Sequence, residues 1–169
     1  MGRNKPKEIG TRQESAICNV INEWAGQKVC ERVVLHGNRD HGDLRITVDD
    51  LVLTGESKHC KRYPSDGMLA DFRGQTAIEN ENAGQDGGVL FVNLPGRSIN
   101  RMEVWMQKST YLRLNGIDEL LASDDLSARA RALVSRLMED GEWDWIRLTL
   151  VAFMHLCWGS PAWGLEELN

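Results

Sequence analysis

The sequence has no long hydrophobic run, no closely paired cysteines and no internal repeat. Its longest apolar stretch, residues 145–158, is interrupted by Arg147 and His155 and is shorter than the roughly 20 residues of a membrane-spanning helix. Basic side chains rather than an apolar segment mark residues 1–12, which predicts no secretory signal. The four cysteines, which lack the short spacings of zinc clusters and disulfide frameworks, are Cys18, Cys30, Cys60 and Cys157. These absences predict no membrane association and a reducing, cytoplasmic compartment.

Acidic residues outnumber basic ones, 25 to 20, and the net charge of −5 would ordinarily argue against nucleic acid. The imbalance is uneven, however: residues 118–169 hold 4 Lys and Arg against 10 Asp and Glu, whereas residues 1–117 hold 16 against 15. Local basic patches steer polyanions more than the whole-chain charge does. The change in charge predicts a core over residues 1–117 and an acidic helical extension over residues 118–169, for dimerisation or partner docking.

The order of predicted elements is a helix, three strands, a helix and two strands, and it indicates an α/β domain with a mixed central sheet flanked by helices. These elements cover residues 11–24, 29–35, 43–48, 51–58, 65–83, 89–94 and 102–106. Beyond Gly116 the sequence predicts helices only, one starting at Ser123 and a last one over residues 143–157. The last helix is apolar nearly all round, so it must be buried against its own domain or in a subunit interface.

Residues 43–58 are the most informative stretch, because they form a predicted hairpin around an Asp49-Asp50 turn. A two-residue loop sets Asp43 directly across from Glu56, and Lys58 shares their face because side chains on a strand alternate. Two facing carboxylates repel each other unless a cation lies between them. The hairpin therefore predicts a divalent-cation site with a lysine beside it.

Glu14 is a third acidic candidate. It leads the apolar stripe of the first helix, which continues through Ile17 and Ile21, and should therefore face the sheet. The alternative is a capping box over Thr11 to Glu14, in which Glu14 only bonds the start of the helix.

These segments resemble the PD-(D/E)XK nuclease superfamily, and within it the Holliday junction resolvase-like proteins of actinobacteriophages. The resemblance covers roughly the first two-thirds of the chain. It is carried by four ordered segments: Gly10-Thr11-Arg12-Gln13-Glu14-Ser15-Ala16, Leu35-His36-Gly37 leading to Asp40-His41-Gly42-Asp43, Glu56-Ser57-Lys58, and Glu79-Asn80-Glu81-Asn82-Ala83-Gly84.

The resemblance implies a restriction-endonuclease-like core and a metal-dependent endodeoxyribonuclease. The implied substrate is four-way or other branched DNA, cut by a homodimer in a bacterial or phage-infected cytoplasm without a small-molecule cofactor. Asp43 and Glu56 would hold Mg²⁺ or Mn²⁺, Lys58 would serve the attacking water, and Glu14 would complete the acidic cluster. Gln75 or Glu79 would support the site from the later helix. The candidate DNA contacts are Arg12, His36, Arg39, Lys61, Arg62 and Arg97.

Two features depart from the family pattern. Asn93 stands where a basic residue is common, and the acidic tail has no counterpart in that pattern. Two other functions stay open: a restriction or repair nuclease of the same superfamily, and a non-catalytic nuclease relic that binds protein or DNA. A zinc or HNH-type site built from the histidines and Cys60 lacks compact spacing.

Overall fold

A computed structural model describes residues 5–33, 41–124, 126–139 and 144–161, with side chains from residue 8 onward. Its six strands, within those ranges, are β1 (Cys30–Arg32), β2 (Leu44–Val48), β3 (Leu51–His59), β4 (Gly87–Asn93), β5 (Glu103–Gln107) and β6 (Trp145–Thr149). The helices of the same ranges are α1 (Lys5–Ala25), α2 (Asp66–Ala83), α3 (Lys108–Leu114), α4 (Ile117–Ala122), α5 (Ala128–Leu137) and α6 (Leu150–Trp158), with a 3₁₀ turn at Ile99–Arg101. The predicted α/β architecture with a mixed sheet and helices is confirmed.

The six strands form one sheet in the order β1-β2-β3-β4-β5-β6. The β3–β4 pair is parallel, and every other neighbouring pair is antiparallel. A parallel pair needs a crossover connection, and α2 supplies it by packing against both β3 and β4.

The two faces of the sheet have separate cores. On one face, Ile17 and Ile21 of α1 and Phe153 of α6 join the larger buried cluster. On the other face, Leu69 of α2 packs in a smaller cluster with Leu90 of β4. Because successive residues of a strand project to opposite faces, the continuous apolar run of β4 serves both cores.

The predicted hairpin register is confirmed over residues 44–55, whereas the predicted Asp43–Glu56 pair is wrong: the ladder ends at Leu44, and the Asp43 backbone N–H bonds to the Gly55 carbonyl instead. Val48 pairs with Leu51, Ile46 with Leu53 and Leu44 with Gly55. Asp49 adopts a left-handed conformation (φ 49°), which Asp tolerates better than most residues. The strand β3 extends past the end of β2, so residues 56–59 pair in the ladder with β4 alone.

The helix α2 has the predicted bounds. The Ser65 Oγ accepts a hydrogen bond from the Met68 backbone N–H, and Gly84 ends the helix in a left-handed conformation (φ 62°). The helix α1, in contrast, starts before the predicted residue 11. Thr11 therefore lies inside the helix, where its carbonyl accepts a hydrogen bond from the Ser15 Oγ at 2.9 Å. The alternative of a capping box over Thr11 to Glu14 is therefore wrong.

The predictions for the C-terminal third are partly wrong. Residues 145–149 form β6, which pairs antiparallel with β5, rather than the first half of a helix. Ser123 follows the end of α4 instead of starting a helix, and Ser127 caps α5 by accepting from the Ala130 backbone N–H. The extension is therefore not helical throughout. The helix α6 packs against α1 and β5 of its own chain, as one of the two alternatives predicted.

None of the helices in the described ranges has the length and apolar character needed to cross a membrane. The predicted strand over 29–35 is confirmed at Cys30–Arg32 only. Residues 34–40, which include the predicted contacts His36 and Arg39, lie outside the described residues.

Candidate active site

The site lies at the carboxyl ends of the parallel strands β3 and β4. Open α/β sheets commonly bind ligands at this edge. Glu56, Ser57 and Lys58 pair with β4 on one side. On the other side, the first residue of β2, Leu44, pairs with Gly55, so Glu56 and the residues after it have no partner in β2. Asp43, just before β2, lies against this edge of β3.

Glu56 and Lys58 contact each other directly. The Lys58 Nζ donates to the Glu56 Oε1 at 2.5 Å, and the two side chains are 21% and 7% exposed, respectively. The same ammonium donates to the Gln75 Oε1 at 3.0 Å and lies 5.5 Å from the centre of the Phe72 ring. The predicted shared face of Glu56 and Lys58 is confirmed, and α2 holds the lysine over it.

The helix α2 contributes both candidate support residues. The Gln75 Nε2 donates to the Glu79 Oε1 at 2.7 Å. Glu79 is buried, and its carboxyl group shares a hydrogen bond with Glu56. Gln75 therefore links the lysine to a pair of buried carboxyl groups, and Glu56 belongs to both contacts. Phe72 lies on the same face of α2 as Gln75 and Glu79, whereas Met68, one turn earlier, is 48% exposed.

Asp43 reaches the site through a glycine turn. Gly42 has φ +80°, and a Cβ there would lie 2.6 Å from the Thr54 Cγ2 and 3.0 Å from the Gly55 carbonyl oxygen. A glycine is thus required for the chain to approach β3 this closely. The Asp43 backbone N–H donates to the Gly55 carbonyl at 2.9 Å, and its Oδ2 accepts from the Ser57 backbone N–H at 3.0 Å.

The two acids strongly influence each other. Burial, followed by the negative charge of Glu56, raises the pKa of Asp43 to about 7, against a smaller opposing effect of the Ser57 N–H. Burial, followed by the hydrogen bond with Glu79, raises the pKa of Glu56 to about 7, although the Lys58 ammonium opposes this. One ammonium therefore does not fully compensate the acidic charge gathered here.

Glu14 lies near the site, paired with a base. Its Oε2 accepts from the Arg32 Nε at 2.8 Å, and its side chain is 15% exposed. Its negative charge also contributes to the raised pKa of Asp43, so the two carboxylates are within electrostatic range. The expectation that Glu14 points towards the sheet is confirmed, since Arg32 belongs to β1.

Gln13 is a site residue that the sequence analysis missed. It is 7% exposed, and its Nε2 donates to the Ser57 Oγ at 2.6 Å. Ser57 is thus contacted twice: its hydroxyl by Gln13 of α1, and its backbone N–H by the Asp43 carboxylate. The signal was present, because Gln13 is four residues before the buried Ile17 and therefore on the same helix face.

A cleft of about 320 Å³ opens beside the site, between α1 and the ends of β3 and β4. Two predicted DNA contacts line it, Arg12 and Arg97, together with His59 and Asn93. Arg97 is half-exposed and lies 3.5 Å from the Glu103 carboxylate. Lys61 and Arg62 are exposed in the segment after β3, next to the site along the chain.

The donor set fits a hard divalent cation in part. Within the described ranges, no three His, Cys, Asp or Glu side chains are grouped closely enough to form a complete metal site. Asp43 and Glu56 are carboxylates whose raised pKa values reflect burial and unbalanced negative charge, which an oxygen-bound cation relieves. Because Mg²⁺ usually keeps several waters and takes only one or two protein carboxylates, two protein ligands are sufficient.

No known protein family, curated protein or solved structure matches this chain.

Proposed function

We propose that this chain is a metal-dependent endodeoxyribonuclease with a restriction-endonuclease-like core of the PD-(D/E)XK type. The observation that carries the proposal is the contact of Glu56 and Lys58 at 2.5 Å, with Asp43 held against the same strand by the Ser57 N–H. A pair of acids and a lysine at the end of a parallel strand suits phosphodiester hydrolysis, which must activate a water and neutralise charge on the phosphate.

In this proposal, Asp43 and Glu56 hold Mg²⁺ or Mn²⁺. Such a cation neutralises charge on the phosphate and favours deprotonation of water. The Ser57 N–H keeps the Asp43 carboxylate at the edge of β3, and Gly42 allows the close approach that this needs. Glu14 of α1 is held by Arg32 and completes the acidic cluster. Its negative charge acts on Asp43 from a distance.

Lys58 is the proposed catalytic base or electrostatic stabiliser. Its ammonium donates to the Glu56 carboxylate on one side and to the side-chain amide oxygen of Gln75 on the other. Partial burial against Phe72 strengthens these interactions because water screens them less. From this position the ammonium can orient the attacking water or stabilise the developing charge on the phosphate, and the lysine can take a proton from the water only after losing its own.

The proposed substrate is DNA with a four-way junction or another branch. The flanking phosphates would be contacted by the basic side chains around the site, Arg12, Arg97, Lys61 and Arg62, and by the predicted His36 and Arg39. Contacts of this kind read the shape and backbone of DNA rather than its base sequence. Since a four-way junction has two-fold symmetry and needs two matched cuts, the functional unit is proposed to be a homodimer. The proposed compartment is the bacterial or phage-infected cytoplasm.

The test is cleavage of a synthetic four-way junction, a flap and a linear duplex with Mg²⁺. Lys58→Ala is expected to reduce the cleavage rate by about 10²–10⁴-fold, the usual loss for a proton-transfer group. Lys28→Ala is the matched control, because the Lys28 side chain is 75% exposed and pairs with Glu31 far along the chain from the site. This control is expected to retain the wild-type rate.

The pattern of cleavage separates the candidate functions. Preferential cutting of the junction supports a resolvase, and equal cutting of all three DNAs assigns the chain to another nuclease class. A wild-type protein that binds DNA but cuts none of the three with Mg²⁺ or Mn²⁺ would identify a nuclease relic. Equal rates for Lys58→Ala and wild type would reject this site as the catalytic centre.

A further inference from the structure

Two of the four cysteines come together in the core. Cys18 of α1 and Cys30 of β1 place their Sγ atoms 3.0 Å apart, and the two residues are 6% and 1% exposed. They are twelve residues apart in the chain, a spacing that gives no disulfide or metal signal by itself. A bonded S–S distance is about 2.05 Å, so a bond requires a movement of only about 1 Å.

The backbone around this thiol pair is held on both sides. The Asn22 Oδ1 accepts from the Val29 and Cys30 backbone N–H groups at 2.8 and 2.7 Å, and its Nδ2 donates to the Cys30 carbonyl at 2.9 Å. One helical turn before Cys18, Glu14 is paired with Arg32 of the same strand. The packing of α1 on β1 therefore keeps the sulfurs opposed in the reduced protein.

The two thiols are chemically unequal. The hydrogen bond between the two thiols lowers the pKa of Cys18; burial opposes this and the charge of Arg32 adds to it. The same hydrogen bond and burial raise the pKa of Cys30. Cys18 is also the more exposed of the two, 6% against 1%, so an oxidant reaches it first, and Cys30 lies 3.0 Å away to resolve it. The other cysteines lie elsewhere, Cys60 in the smaller core and Cys157 on α6.

We propose that Cys18 and Cys30 are a redox site that closes an intrachain disulfide between α1 and β1 when a peroxide oxidises the protein. The Cys18 thiolate attacks one oxygen of hydrogen peroxide, the O–O bond breaks, and a sulfenic acid and water are formed after protonation of the leaving hydroxide. The Cys30 sulfur then attacks the Cys18 sulfur, and the sulfenic hydroxyl leaves as water with the Cys30 proton. Two thiols lose two electrons, and one peroxide becomes two waters.

The disulfide would tie the first helix covalently to the edge strand of the sheet. The same helix carries Gln13, which contacts Ser57, so the bond would hold α1 against the sheet beside the site. This inference does not depend on nuclease activity. A cross-link that closes a loop of this length raises the unfolding temperature mainly by restricting the unfolded chain.

The test uses the full chain, oxidised with hydrogen peroxide, alkylated and digested with trypsin. Cleavage after Arg12, Lys28 and Arg32 places Cys18 in peptide 13–28 and Cys30 in peptide 29–32. The two peptides are expected to appear joined and lighter by two hydrogens than their sum, while Cys60 and Cys157 are alkylated. The unfolding temperature is expected to rise by roughly 5–10 °C and to return on reduction with dithiothreitol.

Cys157→Ser is the matched control and should keep both the cross-linked peptides and the temperature shift. Cys18→Ser should lose both. If that variant does not fold, the peptide map of the wild type still decides. The inference is overturned if peptides 13–28 and 29–32 are recovered separately with alkylated cysteines, if either is joined to another peptide, or if Cys18 ends as a sulfinic acid.

Discussion

The acids of the proposed cation site should make the stability of the metal-free protein depend on pH. Burial and repulsion raise the pKa of Asp43 from 3.8 to about 7 in the folded state. A carboxyl group of this kind binds its proton more tightly in the folded than in the unfolded chain. Its destabilising effect is absent below the unfolded pKa of 3.8, grows as the pH rises, and is complete above the folded pKa of about 7.

The size of the effect follows from the two pKa values. At about 1.4 kcal/mol for each pKa unit, ionising Asp43 in the folded, metal-free protein costs about 4 kcal/mol above about pH 7. Roughly half of that cost is already present at about pH 5.5, where the unfolded carboxyl group is ionised and the folded one is protonated. Asp43 alone is therefore expected to lower the free energy of unfolding by about 2 kcal/mol between about pH 5.5 and about pH 8.

Asp43→Asn isolates this contribution. The amide oxygen of asparagine can still accept from the Ser57 N–H, but the side chain carries no charge. In urea unfolding with EDTA, the variant should be more stable than wild type at about pH 8, by an amount about 2 kcal/mol larger than at about pH 5.5. Excess Mg²⁺ at the higher pH should stabilise the wild type and leave the variant unchanged.

The control is Asp50→Asn, which removes a carboxylate from the exposed hairpin turn. Its stability should follow the wild type at both pH values and in Mg²⁺. The reasoning is refuted if the stability difference between Asp43→Asn and wild type is the same at both pH values. Equal stabilisation of wild type and Asp43→Asn by Mg²⁺ would refute the assignment of Asp43 as a ligand.

Two further predictions concern the fold. Phe153→Ala should lower the free energy of unfolding by about 3–5 kcal/mol, because the Phe153 ring is fully buried and meets Phe91 edge-on at 5.8 Å. Chemical denaturation measures this loss, with Leu137→Ala, at a 49% exposed position, as the control. A loss no larger than that of the control would contradict the role of α6 in the core. Asp49→Val should destabilise the protein by about 1–2 kcal/mol, because residue 49 has a left-handed conformation that a β-branched side chain disfavours. Asp49→Gly, which adopts this conformation freely, should not destabilise it. Equal melting temperatures for the two variants would contradict this.

Much of the candidate site could be predicted because it is local in sequence. The Asp49-Asp50 turn sets the hairpin register, and the register in turn sets which residues face each other. Glu56 and Lys58 share a face through the two-residue period of a strand, and α2 is bounded by the cap at Ser65 and the glycine at its end. These relations depend on neighbouring residues, so they are readable from the order of amino acids alone.

The errors concern choices that local patterns leave open. Residues 145–157 are apolar in nearly every position, and such a run does not distinguish a buried helix from a strand followed by a helix. Residues 145–149 form a strand because pairing with the free edge of β5 satisfies their backbone hydrogen-bonding groups. The alternative role of Glu14 as a helix cap was left open by the sequence, and it is excluded because α1 begins earlier and Glu14 pairs with Arg32.

The sequence by itself determined the strand and helix order up to β5, the hairpin register over residues 44–55 and the close placement of Glu56 and Lys58, because each depends on short-range geometry. Only the tertiary structure decided which distant residues complete the site and the core. Gln13 meets Ser57 across 44 positions, and Cys18 meets Cys30 because α1 packs on β1. Such contacts depend on how helices dock on the sheet, and docking is set by burial of whole faces rather than by any one spacing.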